Sequence, residues 1–242
     1  MHIQDRKCMM PTYDIRHIGE KMHVSEALKS RRSVRDFQDT PVNLDTIRSV
    51  LQTALRTPSG GNLQPWHLHV VTGGKLAELK AVMRSRLRDA PQGEATEYDI
   101  YPKQLVAPYK DRRYEIGEAL YGRLGIPRED KLGRALWFAR NFEFFGAPVG
   151  LFCTVDRRMG QPQWSDLGMM LMSIMLLLRE ENLDSCPQEC WALYPKTIGS
   201  FLGLPDEQML FAGMAIGYAN NESPINQLDT PRASLEQVVQ FL

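Results

Sequence analysis

Pro58-Ser59-Gly60-Gly61-Asn62-Leu63-Gln64-Pro65-Trp66 is the stretch on which the reading of this chain turns. Paired glycines let a backbone approach a ligand closely, because no Cβ stands in the way. Asn62 and Gln64 add carboxamides that both donate and accept, which is the chemistry that reads the edge of a heterocycle. An ordinary turn between a helix and a strand accounts for the glycines and prolines equally well. It does not account for two carboxamides and a tryptophan crowded into the same turn.

Both flanks of this turn are regular. Upstream, Leu44, Ile47, Val50, Leu51, Ala54 and Leu55 recur at three- and four-residue spacing. That spacing predicts a helix, with Asn43 as its cap and Pro58 beyond its end. Downstream, WHLHVV (66–71) alternates as a strand, and Leu76, Leu79, Val82, Met83 and Leu87 mark another helix. Farther upstream stands Arg31-Arg32-Ser33-Val34-Arg35, entered from a short helix for which Ser25 is read as the cap. Guanidinium forks and a hydroxyl at a helix end suit a phosphate, since Arg binds its oxygens bidentately. On spacing alone, a solvated basic turn is the simpler reading.

Residues 90–131 change character. PQGEATEYDIYPKQLVAPYKDRR mixes Pro, Gly, Tyr and charge without a steady period, and reads as an excursion of the kind that covers a site. Its tyrosines, Tyr98, Tyr101, Tyr109 and Tyr114, are candidates to stack on a planar substrate. Beyond it, a helix is expected from about Leu132 to Phe145, and GAPVGLFCTV (146–155) reads as a buried strand. Trp164 to Glu181 forms a helix that is apolar on nearly every face, and such a helix must be covered on all sides. In a chain of this size, a second subunit is a natural source of that cover. A short helix around Ile198, Phe201 and Leu202 then precedes a strand at Met209–Tyr218, and the tail from Ser223 is expected to end in a strand. Residues 1–20 read as an unanchored arm, and 21–242 as one domain, with no internal repeat or linker.

Composition narrows the class. Length of 242 residues and 43% hydrophobic content suit one compact domain with a substantial core. Lys+Arg and Asp+Glu total 29 each, so nothing draws the chain generally to nucleic acid or anionic membranes. Cys8, Cys153, Cys186 and Cys190 are too scattered for a disulfide scaffold, and the C-x3-C pair lacks the second ligand pair of a zinc site. His67 and His69 share the polar face of a strand with no third ligand in sight, so no metal role is expected. The first residues lack an apolar signal core, and the longest apolar run, Gly168 to Leu178, is too short to span a bilayer. A cytoplasmic, soluble protein is expected.

Taken in order, the segments resemble the nitroreductase family, whose R-R-S-x-R-x-F pattern stands here as Arg31 to Phe37 and whose P-S-x-x-N-x-Q-P-W stands as Pro58 to Trp66. Three later stretches agree in position: NFEFFGAP (141–148), CPQECW (186–191) and GYANNESPINQLDTPR (217–232). The likeness leaves out only the first 20 residues and the 90–131 excursion, which differs from the short helical pair of some members. Ala219 also follows Tyr218 where proline is frequent.

The resemblance implies an α+β fold: a central, mostly antiparallel sheet flanked by helices, in an intertwined homodimer with FMN at the interface. It implies that Arg31, Ser33 and Arg232 hold the FMN phosphate, with Arg32 near phosphate and ribityl chain, and that Arg35 reaches the N1/O2 edge. Pro58, Ser59 and Asn62 would come from the other subunit. Pro187, Gln188 and Glu189 would cover one flavin face, with the Glu189 N–H toward N5. No side chain is expected to act as nucleophile or obligatory acid, since the cofactor carries the chemistry and the protein supplies position and electrostatics. The implied activity is ping-pong reduction of nitroaromatic compounds, small planar substrates, by NADPH or NADH. Reduction of quinones, enones or free flavin, reductive dehalogenation, and FMN binding without turnover remain open beside it.

Overall fold

The computed structural model describes residues 22–242, so the expected arm at 1–20 lies outside the described residues. Four strands form one sheet in the order β1-β2-β4-β3, where β1 is Trp66–Thr72, β2 Val149–Asp156, β3 Asp184–Gln188 and β4 Gln208–Gly217. Every pairing is antiparallel, as expected. β2 and β4 are central and buried on both faces, so GAPVGLFCTV is a near-continuous apolar run rather than an alternating one. The register of β2 on β4 slips between Cys153 and Thr154, a bulge.

Helices cover both faces. One apolar cluster joins Val149, Leu151, Cys153 and Val155 of β2 to α2 (Leu44–Ala54) and α6 (Gln161–Glu180). The other joins Phe152, on the opposite face of β2, to α3 (Gly73–Asp89), the 3-10 turns Arg140–Gly146 and Glu189–Leu193, and α7 (Pro195–Leu202). Asn43 caps α2 as read, its side chain accepting from the Asp45 N–H at 2.9 Å. The cap of α1 (Val24–Ser30) is His23, not Ser25: Glu26 reaches back to the His23 N–H at 3.0 Å, which starts the helix two residues earlier.

α6 buries Leu167, Met170, Leu171, Ile174, Met175 and Leu178, a stripe at helical spacing. On its other side Met169 remains 40% exposed, and Met172, Leu176 and Leu177 are only partly covered. One chain therefore covers half of this helix.

Three expectations are corrected. The 90–131 segment is irregular from 90 to 108, as read, but then holds a 15-residue helix, α4 (Tyr109–Arg123), and α5 (Lys131–Ala139) follows after a short turn. α4 has no buried residue, and its helicity rests on local bonds rather than an apolar stripe, which is why no period announced it. The helix expected at 132–145 ends at Ala139 and passes into a 3-10 turn, where Phe144 and Phe145 take φ of 52° and 53°. Finally, the tail forms the short helix α8 (Leu235–Val238) instead of a strand, with Phe241 and Leu242 almost fully exposed.

The paired left-handed phenylalanines cost free energy, about 1–3 kcal/mol each by the general scale for such residues. Packing offsets it. The Phe144 ring lies 4.6 Å from Trp191 and 5.6 Å from Phe152. Gly150 leaves room for that ring, since a Cβ there would stand 2.5 Å from its Cζ.

Candidate active site

A cleft of about 1430 Å³ opens between the end of α1, the middle of α6, β3 and the segment 221–232. Six of the eleven residues singled out from the sequence line it: Arg31, Arg32, Ser33, Arg35, Pro187 and Arg232. Arg31 and Arg232 are two hundred residues apart in sequence and meet here only because the chain folds.

The RRSVR stretch is held as an extra, strand-like edge. Ser33 bridges Ser185 of β3, the Val34 N–H donates to the Ser185 carbonyl at 3.0 Å, and the Phe37 segment pairs with Ala219. Asn226 completes the frame. Its Oδ1 accepts the Arg35 N–H at 2.8 Å, while its Nδ2 donates to the Asp36 carbonyl at 2.7 Å and the Asn220 carbonyl at 2.9 Å. Asn226 is 1% exposed and fully occupied in fixing the backbone under the arginines. The sequence reading passed over it, although it lies inside the GYANNESPINQLDTPR stretch; so many carboxamides in one stretch were the available signal.

The charges in the cleft are uneven. Burial first, and then repulsion from Arg232, lowers the Arg31 pKa from 12.5, although it stays a cation at neutral pH. The hydrogen bonds of the other guanidinium groups go to neutral oxygens: Arg32 to Asn221 Oδ1 at 3.0 Å, Arg35 to the Ser33 carbonyl at 3.3 Å, Arg232 to the Thr230 carbonyl at 2.7 Å. Among the described residues, no carboxylate pairs with any of these four arginines. Asp184, which also lines the cleft, is bound to Arg179 at 2.6 Å and accepts the Ala219 N–H at 3.3 Å. Like charges held together without a counter-ion form a site for an anion with several oxygens.

The wall beyond Pro187 is built differently. Gln188 is 3% exposed and turned inward, donating to the Asn141 carbonyl at 2.8 Å and accepting from Trp191 Nε1 at 3.2 Å. Its side chain is therefore unavailable to a ligand, and Gln188 does not line the cleft. Glu189 opens the next 3-10 turn; it is exposed by area, yet its surroundings desolvate the carboxyl enough to raise its pKa. Cys186 is buried beside Ser33, and burial pushes its thiol up. A cysteine in that state packs rather than reacts.

Pro58, Ser59 and Asn62 do not line the cleft. They sit on an exposed turn over α6 between Asp166 and Ser173, where the Gly60 N–H meets both Asp166 oxygens at 3.3 Å and Thr57 Oγ1 donates to Ser173 at 2.8 Å. Gly61, Asn62 and Gln64 all take positive φ, at 57°, 57° and 48°. Ser59 Oγ steadies the turn by accepting the Gln64 N–H at 2.9 Å. Asp166, buried at the foot of this turn, is a second residue that sequence reading missed.

None of the four tyrosines lines the cleft; from α4 only Ile116 does. Tyr98 packs against Trp164 at 5.4 Å and Phe211 at 6.0 Å, donates to the Phe211 carbonyl, and has its phenol pKa raised by burial and by nearby Glu189. Tyr101 and Tyr114 carry the guanidinium groups of Arg113 and Arg128. Among the described residues, no group of three His, Cys, Asp or Glu side chains could hold a metal ion. His69 instead shares a hydrogen bond with Thr154 at 3.1 Å.

Residues 28–218 match the model of the Nitroreductase family. The chloronitrobenzene nitroreductase of Comamonas testosteroni is 36% identical over 223 residues, which cover 90% of this chain and 96% of that protein. Among solved structures, the FMN and NADPH-dependent nitroreductase NfnB of Sphigopyxis sp. strain HMH superposes with a TM-score of 0.89 at 49% identity, covering 91% of this chain and 99% of that one. NfnB of Mycobacterium smegmatis, an FMN-dependent nitroreductase solved in complex with NADPH, gives 0.86 at 27% identity over 90% and 98% of the two chains.

Proposed function

The chain belongs to the nitroreductase family, and from that premise we propose that it is an FMN-dependent oxidoreductase reducing nitroaromatic compounds with NADPH or NADH. The observation that carries the cofactor is the cluster of Arg31, Arg32, Arg35 and Arg232 around one cleft, with Arg31 and Arg232 repelling each other and, among the described residues, no carboxylate paired to them. Residues of that kind fit a phosphate monoester. Arg31, Ser33 and Arg232 would hold the phosphate, Arg32 would stand near the phosphate and ribityl chain, and Arg35 would serve the N1/O2 edge, all from one cleft. When bound, FMN supplies the group that accepts hydride from the nicotinamide and delivers it to the oxidant.

The chain's own residues do the rest. Arg35, held by Asn226 through its backbone, supplies fixed positive charge where negative charge gathers during the reaction. Gln188 is locked inward by Asn141 and Trp191, which steadies the backbone of Pro187–Glu189; in this reading that stretch would cover one flavin face, with the Glu189 N–H as the donor to the ring. No side chain need act as a nucleophile.

The functional unit is a homodimer in this reading. The partly open apolar side of α6, with Met169 exposed, and the exposed apolar tail support it. So does the turn at Pro58, Ser59 and Asn62, which is exposed and lies away from its own cleft. Residues 21–242 act as one FMN-binding domain, and the 90–131 segment covers the active site. A cytoplasmic setting agrees with Cys153, Cys186 and Cys190 as free thiols, the state a reducing compartment maintains. No helix among the described residues is long and apolar enough to cross a membrane.

The test is a pair of half-reactions. Purified protein should be yellow with about one FMN per subunit; NADPH or NADH should bleach it without oxygen, and a nitroarene should restore the colour. A colourless protein that takes up no FMN, or a bleached one that no nitroarene reoxidises, refutes the reading.

A further inference from the structure

We propose that Glu94 is a positioning residue for the substrate-side wall of the active site, tying the root of the 90–131 segment to the chain that follows Pro187–Glu189. The proposal rests on the reading of that loop as the cover of one flavin face. Glu94 stands outside the cleft, and neither the resemblance nor the arginine cluster points to it.

Its carboxylate is a hub. The side chain is 4% exposed and accepts from every direction: Lys196 N–H at 2.8 Å, Thr197 N–H at 3.1 Å, Thr197 Oγ1 at 2.5 Å and Arg86 Nε at 3.0 Å. The first two are free amides of the first turn of α7, which has no side-chain cap of its own. A residue of the excursion thus caps a helix some hundred positions away. The backbone repeats the connection: the Glu94 N–H donates to the Leu193 carbonyl at 2.7 Å, and Tyr194 Oη donates to the Ala90 carbonyl at 2.8 Å. Gly93 allows this approach, with φ of 89° and with space for a Cβ blocked by the Leu193 carbonyl at 2.9 Å.

One end of this clamp joins the turn that follows Pro187, and the other joins aromatic packing beside Glu189. Leu193 and Tyr194 close the 3-10 turn that begins at Glu189, so holding them holds the flavin loop from its far side. Four residues past Glu94, Tyr98 settles against Trp164 and Phe211, close enough to Glu189 to feel its charge. The segment 90–98 is consequently fixed, whereas α4 beyond it has no buried residue. Burial alone would raise the Glu94 pKa; the bonds from Thr197, Lys196 and Arg86 outweigh it and leave the carboxyl below its ordinary value. The carboxylate is charged whenever the enzyme works at neutral pH.

The experiment compares Glu94→Gln, Thr197→Val and Thr197→Ser in FMN-loaded protein. Gln keeps one carbonyl but turns an NH2 group toward amides or a guanidinium that also donate. Thr197→Val removes the hydroxyl at constant shape, and Thr197→Ser returns it. With a nitroarene as oxidant, Glu94→Gln should raise KM by about fivefold or more and move kcat by less than about twofold, because ground-state placement is lost and not the chemistry. Thr197→Val should shift KM the same way, by less, and Thr197→Ser should behave as wild type. Unchanged KM in folded, FMN-loaded Glu94→Gln and Thr197→Val overturns the proposal, as does a common loss of FMN, kcat and KM. If Glu94→Gln does not fold, Thr197→Val against Thr197→Ser decides alone. Wild-type protein that binds no FMN or reduces no nitroarene overturns the functional reading first, and this inference with it.

Discussion

Replacing Arg31 by Met and Arg232 by Ala should separate what these cations do for the empty protein from what they do for its ligand. In the free chain they repel: burial lowers the Arg31 pKa most, and Arg232 lowers it further. Removing either charge should therefore leave the apoprotein as stable as before, or slightly more so. Bound FMN reverses the sign, because the phosphate then pairs with both. A hydrogen bond to a charged group contributes roughly 1.5–3 kcal/mol, which is about ten- to hundredfold in Kd. Arg232 is exposed, so solvent screening puts Arg232→Ala at the lower end, about tenfold. Arg31 is half-buried, so Arg31→Met should lose more, and Met retains the packing of the stem. The assay is FMN fluorescence quenching by apoprotein, with thermal melts of the apo form in parallel. Stability and affinity should move in opposite directions or independently. FMN affinity unchanged in both variants, or affinity that falls only as far as apo stability falls, refutes the phosphate assignment.

Three further outcomes are expected. Met169→Glu places a charge on the open apolar side of α6, where burying it unpaired costs several kcal/mol; sedimentation at dilution should show a dimer weakened at least roughly tenfold, and an unchanged dimer removes α6 from the interface. Gly213→Ala sets a Cβ within 2.3 Å of Trp191 Cδ1 in a fully packed core; overpacking of this kind costs about 1–3 kcal/mol, to be read as a lower urea midpoint, and an unchanged midpoint would show that Trp191 can yield. Glu94 has a depressed folded pKa, so its stabilisation is complete above its unfolded value near 4.5 and disappears as pH falls through the folded value. Glu94→Gln should accordingly melt below wild type at pH 7, with the gap closing in acid; a gap constant with pH would mean that the charge contributes nothing.

Local pattern and local chemistry were enough for a large part of this protein. The α2 face, its Asn43 cap, strands β1, β2 and β4, and the apolar α6 all follow from spacing, because each element buries one face or both and the residues record it. The motifs Arg31–Arg35 and Pro58–Trp66, taken in order with the later ones, pointed to a family and to the cations that now line one cleft. Where burial leaves no stripe, the sequence was silent. α4 packs no side chain into the core, so its 15 helical residues read as an excursion. β3 is five residues with a proline and no alternation, and it exists because β4 offers an edge. The tail pairs with no strand among the described residues and forms the short helix α8 instead.

Tertiary structure alone decided what long-range contact decides. Arg31 was a phosphate candidate from its motif, but only folding sets Arg232 beside it, and repulsion between the two is a property of distance, not of order in the chain. Gln188, an amide that looked available to the flavin, is spent on Asn141 and Trp191. Asn226 and Glu94 look like ordinary polar residues in sequence, yet one holds the backbone under the arginines and the other caps a helix from about a hundred residues away. A hydrogen bond needs two groups at about 3 Å, and a one-dimensional pattern carries that information only when the partners are neighbours. Sequence therefore names the residue types able to bind a phosphate and a flavin edge, and the fold determines which of them are free to do it.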